Sequence, residues 1–158
     1  MAQVTDLGVL VCSIVKSRRG LGYHAPPWIL MVDPAPPELG MAVITALAAS
    51  DLTLADQPDR EQLQRSKQKT LGWGPNGPRE LSLVGIDEHE SGYRLVGYRP
   101  EGRRSFLHWA DHDIELAKPR TPEVLGAEVR AFLEAAPSRG RLREGTLAPL
   151  APTRYRGT

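Results

Sequence analysis

Two histidines four residues apart, His108 and His112, are the side chains of this sequence best suited to metal chemistry. Asp111 and Asp113 lie beside them, and imidazole and carboxylate groups are ordinary zinc ligands. On a helix, positions four apart share one face, so two imidazoles there would point to a common ion. The segment follows a predicted strand, however, and it lacks the glutamate that a metalloprotease helix carries between its histidines. A small metal-dependent enzyme using His108 and His112 is therefore an alternative hypothesis, and not the main one.

Other catalytic patterns are weak. Cys12 lies in the apolar run from Val9 to Val15, where burial raises the pKa of a thiol and makes it a poor nucleophile. The serines form no G-x-S-x-G turn, and the glycines between Gly72 and Gly77 have neither phosphate-loop nor dinucleotide spacing. We therefore expect a protein that is not an enzyme and has no cofactor, metal or small-molecule substrate.

Carboxylates cluster at two turns. Asp87, Glu88 and Glu90 lie at the tip of a predicted hairpin, and Asp111 and Asp113, followed by Glu115, lie near the end of a predicted row of strands. The two groups either meet at one edge of the sheet or lie at opposite ends, and the sequence leaves both arrangements open. If they meet, they form an acidic patch for a basic partner such as the positive cleft of a nuclease.

Trp73 lies in the Gly-Trp-Gly-Pro-Asn-Gly-Pro segment, which favours turns over regular structure. A tryptophan in such a loop is either a lid over the core or an exposed anchor for a partner. We include it with the five acidic residues as a candidate contact surface: Trp73, Asp87, Glu88, Glu90, Asp111 and Asp113.

The length, composition and net charge of the chain favour one soluble domain. The chain has 158 residues, 41% hydrophobic and 25% charged, with a formal net charge of +1, which is far from the basic excess of a general nucleic-acid binder. The apolar run from Leu7 to Val15 is too short to cross a bilayer, and the basic residues follow it instead of preceding it as in a secretory signal. A single cysteine agrees with a reducing compartment. We expect a cytoplasmic protein that binds neither membrane nor nucleic acid directly.

Two helices with the same pattern organise the chain. Leu-Gly-x-x-Val-x-x-x-Leu begins at Leu39 and again at Leu125, each time after a Pro-Glu start. The spacing sets the apolar residues on one face of a helix, and Thr121 is suited to cap the second helix. Glycine inside a helix costs about 1 kcal/mol relative to alanine. Gly40 and Gly126 therefore predict close approach to a neighbouring backbone.

The remaining pattern predicts strands. Strands are expected over 9–15 and 28–32, with a loop over 16–27, followed after a surface helix over 58–70 by alternating segments near 81–86, 93–98, 106–109 and 113–116. Consecutive strands with short turns predict an antiparallel meander. The expected fold class is α+β, with a central, mainly antiparallel sheet and the two amphipathic helices packed on it.

The last 21 residues differ in composition from the rest. Residues 1–137 are expected to form the single α/β domain, and residues 138–158 a basic, flexible tail with many arginines and prolines. A nucleic-acid-binding accessory protein using this tail with Arg18 and Arg19 is a third hypothesis, which the near-neutral charge disfavours.

The two repeated helices, with a tryptophan-containing strand and a Pro-Glu start just before the second, resemble the immunity proteins of contact-dependent growth inhibition systems. The likeness is to small α/β immunity proteins with one such helix early and another near the C-terminus. It covers residues 39–50 and 108–136.

The resemblance implies a toxin inhibitor in the toxin–antitoxin sense, acting in bacterial competition through protein–protein interaction. Its partner would be the cognate toxin C-terminal domain of a large exoprotein, bound as a heterodimer. Toxins of this kind are often nucleases, including tRNA-cleaving enzymes. Neutralisation would follow from occlusion of the active site or of the substrate-binding surface.

Overall fold

The computed structural model describes residues 1–50, 59–75, 77, 80–101, 105–118 and 121–137. Its elements follow in the order β1 (Ala2–Thr5), β2 (Gly8–Lys16), β3 (Gly22–Met31), α1 (Pro36–Ser50), α2 (Arg60–Leu71), β4 (Glu80–His89), β5 (Gly92–Glu101), β6 (Ser105–His108), β7 (Ile114–Ala117) and α3 (Pro122–Ala135), with a short 3₁₀ helix, Ala110–His112, between β6 and β7.

All strand pairs are antiparallel, in the order β3-β2-β1-β4-β5-β6. The last edge is shared: β6 pairs with the second half of β5, from Tyr98 to Glu101, and β7 pairs with its first half, from Gly92 to Leu95. The predicted α+β class with a mainly antiparallel sheet is confirmed.

Helices α1 and α3 pack against each other and against one face of the sheet. The core between them contains the predicted apolar stripes of both helices, with Leu47 only partly buried, and meets inward-facing strand residues: Leu39, Val43, Leu125, Val129, Leu133, Val4, Val9, Val11 and Leu95. Thr121 caps α3, accepting a hydrogen bond from Val124 N–H at 3.2 Å. The cap is as predicted from its side chain.

The two helix glycines lie where the helices cross. A Cβ atom on Gly40 would overlap the carbonyl group of Pro122, and one on Gly126 would lie 2.7 Å from the backbone nitrogen of Gly40. Backbone atoms of both helices occupy the space that a side chain would need. The predicted close approach is confirmed.

Helix α2 lies apart from this pair and packs against β3. Asp59 caps its start by accepting hydrogen bonds from Glu61 and Gln62, and Gly72 ends it in the left-handed conformation at φ 66°. The helix is solvated, as predicted. Leu63 is partly buried and packs against Val15, Tyr23 and Ala25.

Two strand assignments differ from the sequence-based expectation. The loop predicted over 16–27 is too long, because β3 already begins at Gly22 and includes Pro26 and Pro27. Strand β3 is an edge strand with a register shift opposite Val11 to Ser13, and both settings tolerate residues without an N–H group. Strand β1, in the middle of the sheet, was not predicted because four residues give too short an alternation.

The predicted basic tail, 138–158, lies outside the described residues. Of the helices in the described part of the chain, none has the length and apolar character that crossing a bilayer demands.

The helix crossing gives the first testable prediction. Gly126→Val should lower the free energy of unfolding by about 1–3 kcal/mol or more, because the new side chain must separate the helices. Gly126→Ala is the sharper case. Helix propensity alone would raise the free energy of unfolding by about 1 kcal/mol, whereas the overlap of the new Cβ with the backbone of α1 should lower it. Thermal unfolding followed by circular dichroism measures both. Gly74→Ala is the control, because a Cβ there meets no atom of the described part of the chain within 4 Å. A wild-type melting temperature for Gly126→Val would contradict the packing argument.

Candidate functional site

The candidate site lies on the face of the sheet that α1 and α3 leave free. Along β5, Tyr93 and Leu95 point into the core with the helices, so Arg94, Val96 and Tyr98 point to the opposite face. Arg94 keeps 46% of its side-chain surface in contact with solvent. This half of the sheet therefore presents its polar side chains openly.

Asp113 is the centre of a hydrogen-bonded cluster on this face. Its carboxylate accepts a hydrogen bond from Arg94 at 2.7 Å and another from the backbone N–H of Gly97 at 2.8 Å. Nε2 of His108 lies 2.9 Å from the same carboxylate. Asp113 is only 11% exposed, whereas Arg94 and His108 are about half exposed, at 46% and 47%. The carboxylate thus holds two surface side chains in place from beneath.

The electrostatics of the cluster follow from these contacts. Desolvation by itself would raise the pKa of Asp113, but hydrogen bonds from Gly97, His108 and Arg94 outweigh it, and its pKa lies below the ordinary value. The hydrogen bond to Asp113 raises the pKa of Arg94. Both groups are therefore charged at neutral pH, and the surface keeps a fixed pattern of charge.

Further carboxylates surround Arg94. Asp87 lies opposite it across the β4–β5 pair, and Glu115 lies opposite it on β7. Glu115 also lies 3.0 Å from Nε2 of His89, next to the hairpin turn. Because β7 lies beside the first half of β5, Asp87 of the first acidic group and Asp113 and Glu115 of the second meet around Arg94 on the free face.

The other predicted acidic residues take different positions. Glu88 lies opposite Tyr93, and so towards the helix side of the sheet, where it forms an ion pair with Lys118 at 2.8 Å. Glu90 and Asp111 are exposed. Together, the segments 87–94 and 111–118 carry six carboxylates against two cations, Arg94 and Lys118. We call this region, defined by those two segments, the acidic surface.

Trp73 is not part of the acidic surface. It is partly buried beside α2, and Nζ of Lys67 lies 5.4 Å from the centre of its ring and 5.6 Å from that of Trp28. Trp28 is on β3, which three strands separate from β5. The predicted site residues therefore divide into an acidic group and a separate tryptophan.

The two histidines of the metal hypothesis have different surroundings. His108 lies opposite Tyr98 on the free face, with ring centroids 6.0 Å apart. His112 covers Gly97 on the helix face, stacked on Trp109 at 4.8 Å and against Phe132 at 4.5 Å. Among the residues that the structure describes, no group of three or more histidine, cysteine, aspartate or glutamate side chains is arranged to hold a metal ion.

A pocket of about 260 Å³ adjoins the acidic surface. It lies between β2 and β4, beyond the point where β1 begins, and there the backbone N–H of Ile14 bonds to Ser50 Oγ instead of to a strand. Strands β2 and β4 extend past β1, and none of the described strands lies between these extensions. We call this region the gap between β2 and β4. The lining residues come from both sides of this gap: Met1, Ile14, Gly22, His24, Leu83, Gly85 and Tyr98.

Sequence reasoning missed Arg94, His89 and Tyr98 as site residues. A signal was available for Arg94, because a two-residue turn at Glu90 and Ser91 pairs His89 with Gly92 and so sets Asp87 opposite Arg94. The pocket had no local signal, since it depends on the different lengths of three strands.

No protein-family model matches the chain, and no curated protein matches it significantly. The fold is similar to a solved structure described as the protein of unknown function NMB0488 from Neisseria meningitidis, with a TM-score of 0.64 and 18% sequence identity. The match covers 85% of this chain and 92% of that chain. Identity this low shows a shared fold and carries no function.

The Asp113 cluster predicts a pH-dependent stability. Asp113→Asn should lower the free energy of unfolding at pH 7 by about 1 kcal/mol, because Arg94 and His108 lose their anionic partner. A depressed pKa means that the ionised carboxylate stabilises the fold fully above its unfolded pKa of about 3.9 and loses this effect as the pH falls through the lower folded value. The difference in the free energy of unfolding between the wild type and Asp113→Asn should therefore become smaller below about pH 4.

Urea unfolding at a series of pH values measures this difference. Asp111→Asn is the matched control, since it removes the same charge from an exposed position two residues away. Equal stability of the Asp113→Asn and Asp111→Asn variants at pH 7 would refute the role assigned to Asp113.

Proposed function

We propose that this protein is an immunity protein, which binds and neutralises the C-terminal toxin domain of a contact-dependent growth inhibition exoprotein. The toxin in this proposal is a nuclease, with tRNA cleavage as one form of the activity. The observation that carries the proposal is the acidic surface, on which carboxylates from two distant segments meet on an open face of the sheet. The resemblance of the repeated helices to immunity proteins supplies the class of partner.

The acidic surface is suited to a nucleic-acid-binding cleft. A nuclease binds phosphates through basic side chains. The free face carries three carboxylates, Asp87, Asp113 and Glu115, around one cation, Arg94, and is complementary to such a cleft. Asp113 holds Arg94 and His108 in place, so these side chains are ordered before binding and little side-chain entropy is lost. In this mechanism the bound protein covers the cleft and excludes the substrate.

The proposal assigns the protein to the cytoplasm, where it meets the incoming toxin domain. Cys12 is compatible with this assignment: it is free and fully buried, and burial raises the pKa of its thiol to about 11. A thiol of this kind is inert and needs no oxidising compartment. The assignment is tested by fractionation of the cells that produce the protein.

The alternative is a small metal-dependent enzyme that uses His108 and His112. Its two imidazoles point to opposite faces of the sheet region around Gly97. A shared ion would require one of them to leave its aromatic neighbours. No contact in the described part of the chain favours this second function.

The direct test is co-purification of the tagged protein with the C-terminal domain encoded immediately upstream of its gene, coupled to a nuclease assay on that domain. We expect a one-to-one complex in which the nuclease is silent. A toxin domain that remains active and unbound in the presence of excess protein would refute the proposal.

Charge reversal at the hairpin identifies the surface. Replacing Asp87, Glu88 and Glu90 by lysine should weaken toxin binding at least about tenfold, mainly through slower association, because electrostatic attraction speeds the encounter. The association rate of this variant should also depend less on salt concentration than that of the wild type. Surface plasmon resonance at several salt concentrations measures both.

The matched control makes the same change of net charge on other parts of the protein surface. Glu61, Glu123 and Glu128 lie on α2 and α3, and their replacement by lysine should leave the association rate unchanged. An equal effect of both triple variants would show that net charge matters and that the hairpin is not the contact surface.

A further inference from the structure

The gap between β2 and β4 has the features of an anchor site. We propose that its pocket receives one uncharged aromatic side chain of the partner, which is presented by a basic surface. The identity of the partner as a toxin domain rests on the function proposed above. The class of side chain is argued from the pocket alone.

The size of the pocket favours a single side chain. Its volume is about 260 Å³, whereas pockets for drug-sized ligands usually measure about 300–1,000 Å³. The lining includes Met1, Ile14, Leu83 and the ring of Tyr98. Thioether and ring contacts both favour an aromatic occupant over a branched aliphatic one.

The chemistry of the lining disfavours a charged occupant. His24 is exposed as a whole residue, yet desolvation of its ring and the nearby charge of Lys67 lower its pKa to about 4, so it is neutral at pH 7. Burial also lowers the pKa of the Met1 amino group and, together with the charges of Asp87 and Asp113, raises that of the Tyr98 hydroxyl. Burial is the largest cause in all three cases, and it acts against charge in each.

Charged residues lie beside the pocket, outside its apolar lining. Leu83, Gly85 and Asp87 alternate along β4 and so lie on one face, which places Asp87 next to the pocket and in line with Arg94. An apolar pocket bordered by polar groups that exclude water is the usual arrangement around a dominant contact residue. Basic residues next to the partner's aromatic side chain would then face the acidic surface.

The first experiment needs no partner. Indole is titrated into the isotope-labelled full chain, and the backbone amide shifts are recorded, with n-butylguanidinium as the charged probe. We expect saturable shifts confined to Gly22, Gly85 and their neighbours, and weaker binding of the guanidinium. Non-saturable or scattered shifts with indole, or tighter binding of the guanidinium, would overturn the proposal.

A pocket-filling variant gives the specific control. Gly22 lies in a strand outside the left-handed region, and a Cβ there meets only the side chain of Ile14, at 3.1 Å. Gly22→Val should therefore fold and abolish the indole shifts. Gly74→Val makes the same change where a Cβ meets no atom of the described residues within 4 Å, and it should bind indole like the wild type. Gly22→Ala is the milder variant if valine disturbs the strand.

The second experiment uses the toxin domain and separates the two proposals. Gly22→Val should weaken the complex at least about tenfold, as expected for a central anchor, while Gly74→Val should not. A complex of unchanged affinity would overturn the anchor and leave the immunity function standing. Absence of any complex would overturn the immunity function, whereas the indole titration would still decide the nature of the pocket.

Discussion

The contact between the backbones of α1 and α3 is the constraint on which the rest of the structure depends. Gly40 and Gly126 each cost about 1 kcal/mol of helix propensity, and the cost is offset because both apolar stripes reach the same face of the sheet. Arg130, also on α3, is buried beside this contact and lies 3.7 Å from Asp33, just before α1. With two helices on one face, the other face is left to α2 at one edge and to solvent at the other.

The free face explains why the polar residues can be ordered without being buried. Exposed ion pairs contribute little to stability because water competes and side-chain entropy is lost. The pairs around Arg94 differ in that Asp113 is largely shielded and is fixed by the backbone N–H of Gly97. The backbone of the sheet therefore orders the exposed charges, and the core behind it carries the stability.

The sequence predicted elements better than relations between elements. For helices α1 and α3, the start signals, the apolar periodicity and the glycines inside the helices all indicate the same two packed helices. Their positions and their contact were therefore predictable. The predicted strand at β3 is shorter than the observed one, because Pro26 and Pro27 indicate a loop when the position of a strand in the sheet is unknown. Only the complete fold shows that β3 is an edge strand, where prolines are tolerated. The meeting of Asp87 and Asp113 depends on β6 and β7 sharing the edge of β5, which no local pattern encodes. The pocket likewise depends on unequal strand lengths.

The acidic surface and the pocket would contribute to binding in different ways. Charges on an exposed face act over about 8 Å at physiological salt and mainly raise the rate of encounter. They do little to hold a complex together, because their hydration is largely retained. A side chain that leaves water for the gap between β2 and β4 acts at short range, and its loss mainly raises the dissociation rate. Since Asp87 borders both regions, a partner guided by charge would arrive with its contact loop next to the pocket.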